Sequence, residues 1–178
     1  MEGKIIKIIK KGGVGVLPTD TLYGLVGSAL NKQAVGRVFK LKKRNPQKPL
    51  IILIASIKDL RYFGVLLDKA TKKFLKIVWP GEVSVVLEVG QGRTFDLSYL
   101  YPLNKTLAFR LPKLKWLQKL IKKTGPLVAP SANPEGMAPA TSVEQAKIYF
   151  ANDLDFYLDK GELSGLPSTL VFFQKGEA

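Results

Sequence analysis

The chain has 178 residues, enough for one hydrophobic core, and contains neither cysteine nor histidine. That excludes disulfides, thiolate nucleophiles, zinc–thiolate centres and imidazole bases, and leaves hydroxyls, carboxylates, lysine, arginine and backbone to do any chemistry. The balance of 28 basic against 14 acidic residues, net +14, suits polyanionic partners such as nucleotides or RNA; the plainer reading is a lysine-rich, solubilising surface. No apolar run is long enough to span a bilayer, and residues 1–10 alternate charge with isoleucine without a signal-peptide cleavage region. A cytoplasmic protein with no membrane partner is expected.

In chain order, residues 2–11 read as an amphipathic helix with Ile5, Ile8 and Ile9 on one face, ended by Gly12-Gly13. Val14–Pro18 is a buried strand and Leu22–Leu30 a second extended segment. Asn31 caps a helix whose buried stripe is Ala34, Val35, Val38, Phe39 and Leu41. Lys40, Lys42, Lys43 and Arg44 crowd its end, where cations suit the helix dipole. Pro46 and Pro49 bracket a loop before the apolar strand Leu50–Ala55. Ser56 with Asp59 opens a short helix, and Asp68 another, with Ala70, Phe74, Ile77 and Val78 on one side.

Trp79-Pro80-Gly81 stops that helix. Val83–Val89 and Lys105–Leu111 read as strands flanking a loop or irregular strand from Gly90 to Asn104. Leu114, Leu117, Leu120 and Ile121 mark a helix closed by Gly125, and Pro126–Ala129 a short strand. Ser142 and Gln145 form a capping box for a helix through Phe150. Asp155–Leu158 and Ser168–Phe173 are the last strands, joined by the loop Asp159–Pro167. Strands and helices mix throughout, with no repeat or linker. The expectation is one α/β (α+β mixed) domain over residues 1–178 with a sheet of mixed direction.

Leu17-Pro18-Thr19-Asp20-Thr21-Leu22-Tyr23-Gly24-Leu25 places three small oxygen-bearing side chains at the end of a buried strand. Taken alone, it is an ordinary turn with a local Asp bond to backbone. Lys42-Lys43-Arg44, Thr106–Arg110 and Ser131-Ala132-Asn133 also stand at ends of apolar elements, and Ser168-Thr169 follows later. In this order the set resembles the YrdC-like family of threonylcarbamoyl-AMP synthases. That family carries P-T-[DE]-T-x-Y-G-L, K-x-R before a P-L-I strand, T-x-x-x-R, S-A-N and a late S-T. The resemblance runs from about residue 3 to residue 173, and the five motifs in register make it specific.

The resemblance implies a twisted open mixed sheet flanked by helices, YrdC/RibB-like, with a basic concave face. It implies a nucleotidyltransferase that joins L-threonine, bicarbonate or CO2, and ATP into L-threonylcarbamoyl-AMP and pyrophosphate. A separate threonylcarbamoyl transferase complex then modifies adenosine 37 of tRNA. It assigns Thr21, Tyr23, Arg110, Ala129 and Ser168 to L-threonine. It assigns Lys42, Arg44, Lys48, Thr106, Ser131, Asn133 and Pro139 to ATP, with Lys42, Arg44 and Ser131 nearest the chemistry. The residue types suit these roles. The arginine fork matches a carboxylate, and phosphoryl transfer needs positioning and charge neutralisation more than a protein nucleophile. Magnesium is expected to arrive with ATP, with no dedicated protein ligands. Lys43 is expected to face solvent, and Pro139 could touch ATP only through its carbonyl.

The chain departs from the family pattern at Leu53, where many members have histidine, and at Gly165-Leu166-Pro167-Ser168-Thr169, which lacks the glutamate of G-V-E-S-T. Family members usually continue to an arginine-bearing R-x-G segment over the nucleotide, and this sequence ends at Gly176-Glu177-Ala178 without one. The alternative to the enzyme is a basic module that binds tRNA or double-stranded RNA through phosphate contacts, without catalysis.

Overall fold

Caps and apolar periodicity place the helices of the computed structural model, which describes residues 2–45, 47, 48, 50–90, 96–100 and 105–172. Helix α1 (Glu2–Lys10) buries Ile5 and Ile9, with Ile8 only partly covered. Helix α2 (Lys32–Lys42) starts at Asn31, whose Oδ1 accepts from Ala34 N at 2.9 Å. Helix α3 (Lys69–Val78) starts at Asp68, which accepts from Thr71 N at 2.7 Å. Helix α4 (Lys115–Thr124) closes at Gly125, whose φ of 84° favours glycine. Helix α5 (Val143–Phe150) starts at Ser142, which accepts from Gln145 N at 3.2 Å.

The stripe of α3 is a correction. Ala70 is exposed and Ile77 is 75% exposed, while Thr71 and Leu75 are buried with Phe74 and Val78 beside them. The true stripe runs 71, 74, 75, 78, one phase away from the apolar residues that define the pattern in sequence. The short helix expected after Ser56 is 3-10 (Ile57–Phe63), held by Asp59 Oδ2 accepting from Ala55 N at 2.8 Å and Ser56 N at 3.0 Å.

Eight strands form one sheet: β1 Gly15–Pro18, β2 Tyr23–Ser28, β3 Ile51–Leu53, β4 Val83–Glu88, β5 Thr106–Arg110, β6 Leu127–Val128, β7 Phe156–Tyr157 and β8 Thr169–Phe172. Their order is β7-β1-β2-β6-β3-β5-β4-β8. The pairs β1–β7, β3–β5 and β4–β8 are parallel and the others antiparallel, so the sheet is mixed and open. Pro46, Pro49, residues 91–95 and 101–104 of the expected irregular segment, and Phe173 lie outside the described residues.

Alternation along the strands splits the core in two. Val16, Tyr23, Leu25, Val85 and Phe109 lie in the core shared with α2, α3, α5 and the 3-10 helix, whereas Leu17, Val26 and Leu53 lie in that shared with α1 and α4. Helices therefore cover both faces, which is why β1 and β2 are buried at every position instead of alternating. Among the described residues no helix is long and apolar enough to cross a membrane.

Candidate active site

Between β1 and β2 the turn Thr19–Leu22 orders its own polar groups. Thr19 N donates to Leu22 O at 3.0 Å, and the Thr19 hydroxyl donates to the same carbonyl at 2.7 Å. With its hydrogen spent, Thr19 Oγ1 can only accept, and it takes Thr21 N, Leu22 N and Arg110 Nη2 at 3.2, 3.3 and 3.2 Å. Thr21 Oγ1 accepts from Arg110 Nη1 at 3.0 Å and therefore donates to Thr19 Oγ1, also at 3.0 Å. Asp20 pairs with Arg110 Nη2 at 3.3 Å through Oδ1 and accepts from Lys113 N at 3.0 Å through Oδ2.

Arg110 ends β5 at 3% exposure. Burial pulls its guanidinium pKa down, against the carboxylates of Asp20 and Glu82. Its Nε–H is buried without a hydrogen-bond partner among the described residues. A buried charged donor left unpaired is costly, so this group calls for an acceptor. Arg110 also lines a cavity of about 120 Å³, with Thr21, Ala129, Ser131, Ser168 and Ile51. The loop 159–168 runs along this cavity. A Cβ on Gly165 would collide with the Thr21 carbonyl, so only glycine lets the chain pass so close.

Tyr23 lines the cavity, but its hydroxyl serves that loop. It donates to Gly161 O at 2.6 Å and Asp159 Oδ1 at 3.2 Å, and accepts from Lys160 N at 3.2 Å. Burial raises its pKa. Leu53, the position of the family histidine, is fully buried in the α1/α4 core, and Ile51 lines the cavity instead.

A second recess of about 270 Å³ adjoins the first, sharing Ser131 and Ile51, and is lined by Lys42, Arg44, Asn133 and Glu135. Ser131 reaches this junction because its segment pairs with Gly24: Leu25 N donates to Pro130 O at 2.9 Å and Ala132 N to Tyr23 O at 2.8 Å. Lys42 turns inward at 3% exposure. Its Nζ donates to Ser131 O (2.8 Å), Asn133 O (3.0 Å), Asn133 Oδ1 (3.1 Å) and Ser131 Oγ (3.3 Å). Burial, then repulsion from Arg44, lowers its pKa to about 8. Lys42 thus ties the S-A-N loop together rather than reaching out as a free cation. Asn133 Nδ2 completes the knot, donating to Met137 O at 2.7 Å and Pro134 O at 2.9 Å.

Arg44 Nε donates to Lys48 O at 3.1 Å, and Lys48 Nζ pairs with Glu135 Oε1 at 2.7 Å. Glu135 Oε2 also accepts from Asn45 N at 3.2 Å, and these bonds lower its carboxyl pKa. Sequence reasoning gave Glu135 no role; the only signal was a lone acid in a loop of small residues facing a basic segment. It also missed Ser84, a hydroxyl at 0% exposure on β4.

The structure brings Thr21, Tyr23, Arg110, Ala129, Ser131 and Ser168 to one cavity, and Lys42, Arg44, Ser131 and Asn133 to the adjoining recess. It does not bring Thr106 there. Thr106 opens β5, about 13 Å along the strand from Arg110, and lines a separate cavity of about 460 Å³ with Asp68 and Phe172. Pro139 is half-buried and lines neither recess. Lys43 is exposed, as expected. Among the described residues no cluster of three or more His, Cys, Asp or Glu could hold a metal ion.

The model of the Sua5/YciO/YrdC family, described as telomere recombination, matches residues 7–178. The threonylcarbamoyl-AMP synthase of Pyrococcus abyssi is 33% identical over 169 residues, covering 92% of this chain and 48% of that protein. That of Hahella chejuensis is 32% identical, covering 92% of this chain and 87% of the relative. The crystal structure of P. abyssi Sua5 complexed with L-threonine superposes with a TM-score of 0.87 at 31% identity, over 97% of this chain and 52% of that one. The chain thus spans about half the length of the archaeal relative and most of the bacterial one. With the family model matched over almost its whole length and the fold shared, this chain belongs to the Sua5/YciO/YrdC family.

Proposed function

We propose that this protein is an L-threonylcarbamoyl-AMP synthase acting in tRNA modification. The observation that carries the reading is the buried Arg110, which lines a cavity the size of a small amino acid, next to a cationic recess that meets it at Ser131. The Arg110 guanidinium anchors the carboxylate of L-threonine. The recess takes ATP, with Arg44 and Lys48 on the phosphates and the Lys42-knotted loop presenting Ser131 to the α-phosphate.

The neutral threonine amine attacks CO2, supplied as such or from bicarbonate, and loses one N–H proton to solvent to give a carbamate. The carbamate oxygen attacks the α-phosphorus, and the bond to the β-phosphate oxygen breaks to release pyrophosphate. No protein nucleophile is needed, in keeping with a chain without Cys or His. Mg2+ carried by ATP would neutralise charge on the phosphates when bound. Glu135 is the one carboxylate lining the recess among the described residues, and it is engaged by Lys48. A transferase complex acting on tRNA consumes the product.

The test is pyrophosphate release from ATP with magnesium and bicarbonate, with and without L-threonine. Release that requires threonine is expected. Release without threonine, or none while both ligands bind, would count against the reading.

A further inference from the structure

Ser84 lies on β4 at 0% exposure, and its hydroxyl has one hydrogen-bond partner among the described residues, Ser168 Oγ at 2.9 Å. A buried hydroxyl hydrogen needs an acceptor, and water does not reach this one. Ser84 must therefore donate to Ser168. Ser168 is then the acceptor in that bond, and its own hydrogen is left to point elsewhere. Ser168 is half-buried and lines the same cavity as Arg110.

The sheet register explains why these groups meet. Val85 on β4 lies opposite Phe109 on β5, so Ser84, one step before, lies opposite Arg110 on the same face. On the other side β4 pairs with β8, with Val83 opposite Thr169, which brings the preceding residue, Ser168, alongside. The Ser168 hydroxyl, with its hydrogen uncommitted, and the Arg110 guanidinium thus line one cavity. Paired donors match a carboxylate, not an ammonium, which would need acceptors.

We infer that Ser84 is a positioning residue that fixes Ser168 as a hydrogen-bond donor, so that Ser168 and the Arg110 guanidinium together hold the carboxylate of the amino-acid substrate. The inference rests on the synthase reading and adds a residue to it. Ser84 touches no substrate and acts only through Ser168. The side chain of the amino acid is not what this pair reads.

The test is calorimetric binding of L-threonine, of L-valine (same carboxylate, no side-chain hydroxyl) and of ATP to the wild type, Ser84→Ala, Ser84→Thr, Ser168→Ala and the double alanine variant. Ser84→Ala is expected to weaken L-threonine about three- to tenfold, the range for one hydrogen bond, and L-valine by the same factor. ATP affinity stays unchanged, and Ser84→Thr, which keeps the hydroxyl, restores binding. In the Ser168→Ala background, Ser84→Ala adds nothing, because its effect passes through Ser168. Weakening of L-threonine alone would show that Ser168 reads the side-chain hydroxyl and would overturn the inference. Additive losses in the double variant, or no loss in either single variant, would overturn it too. If Ser84→Ala does not fold, Ser168→Ala on its partly exposed site still gives the threonine-to-valine comparison. A wild type that binds ATP but no amino acid overturns the synthase reading itself.

Discussion

The amino-acid cavity and the nucleotide recess share Ser131 but are built on opposite principles. Around the cavity the charged group is buried and its partners sit on or next to strands: Arg110 is 3% exposed and its contacts are hydroxyls and a carboxylate of one turn. In the recess the outward-facing charges stand on loops and are paired in solvent, as in Lys48–Glu135, with side chains 59% and 30% exposed. The first arrangement is preorganised and its donors cannot turn elsewhere. The second must exchange an internal anion for the phosphates of its ligand. Threonine binding should therefore hang on a few residues with large effects, and nucleotide binding on many with small, salt-sensitive ones.

The largest expected effect breaks the rigid side. Arg110→Ala removes the carboxylate anchor and strands Asp20 as a buried charge. The threonine KM in the pyrophosphate assay should rise by roughly thirtyfold or more, the effect of about 2 kcal/mol for one partner of a buried charge pair. An unchanged KM would remove Arg110 from the site. Next, Lys42→Met unties the loop shared by both recesses and leaves its oxygens without a donor. A loss of about 3 kcal/mol is expected, read as a melting temperature lowered by roughly 6–12 °C. Gly165→Ala pushes the loop off the Thr21 carbonyl and should raise the threonine KM about fivefold with the ATP KM unchanged.

The remaining predictions sharpen the looser side. The folded Lys42 pKa, about 8, lies below the ordinary lysine value of 10.5. The unfolded chain therefore holds this proton more tightly, and the stability contribution of Lys42 is lost as pH falls through about 8. Its charge in the recess runs the other way. The ATP KM should rise as pH increases through about 8, while the threonine KM moves less. Smallest, Glu135→Gln frees Lys48 and removes an anion from the recess. The ATP KM should fall about two- to fivefold, and the gain should shrink in high salt. A higher ATP KM would instead make Glu135 part of the nucleotide site.

Local rules carried much of the fold. The caps at Asn31, Asp68 and Ser142 form where the residue types favour them, because a side-chain oxygen satisfies a free helix N–H whatever surrounds it. The α3 stripe was misread because Ala70 and Ile77 are apolar but lie on the solvent side, and periodicity counts residue types rather than neighbours. Thr106 and Arg110 share one short motif, yet a strand separates its ends, so one serves the cavity and the other does not. Lys42 looked like a free cation at a helix end, and only the loop folded over it shows four oxygens around its Nζ.

Composition and motif order determined that this chain works without thiol or imidazole, that its helices and strands alternate into a mixed sheet, and which polar stretches matter. Those are properties of residue type and spacing, and they survive without knowledge of contacts. Tertiary structure decided the pairings: Arg110 with the Thr19–Thr21 turn, Ser84 with Ser168 across β4 and β8, and Glu135 with Lys48. Each joins residues scores of positions apart, which only sheet register and loop closure bring within hydrogen-bond distance.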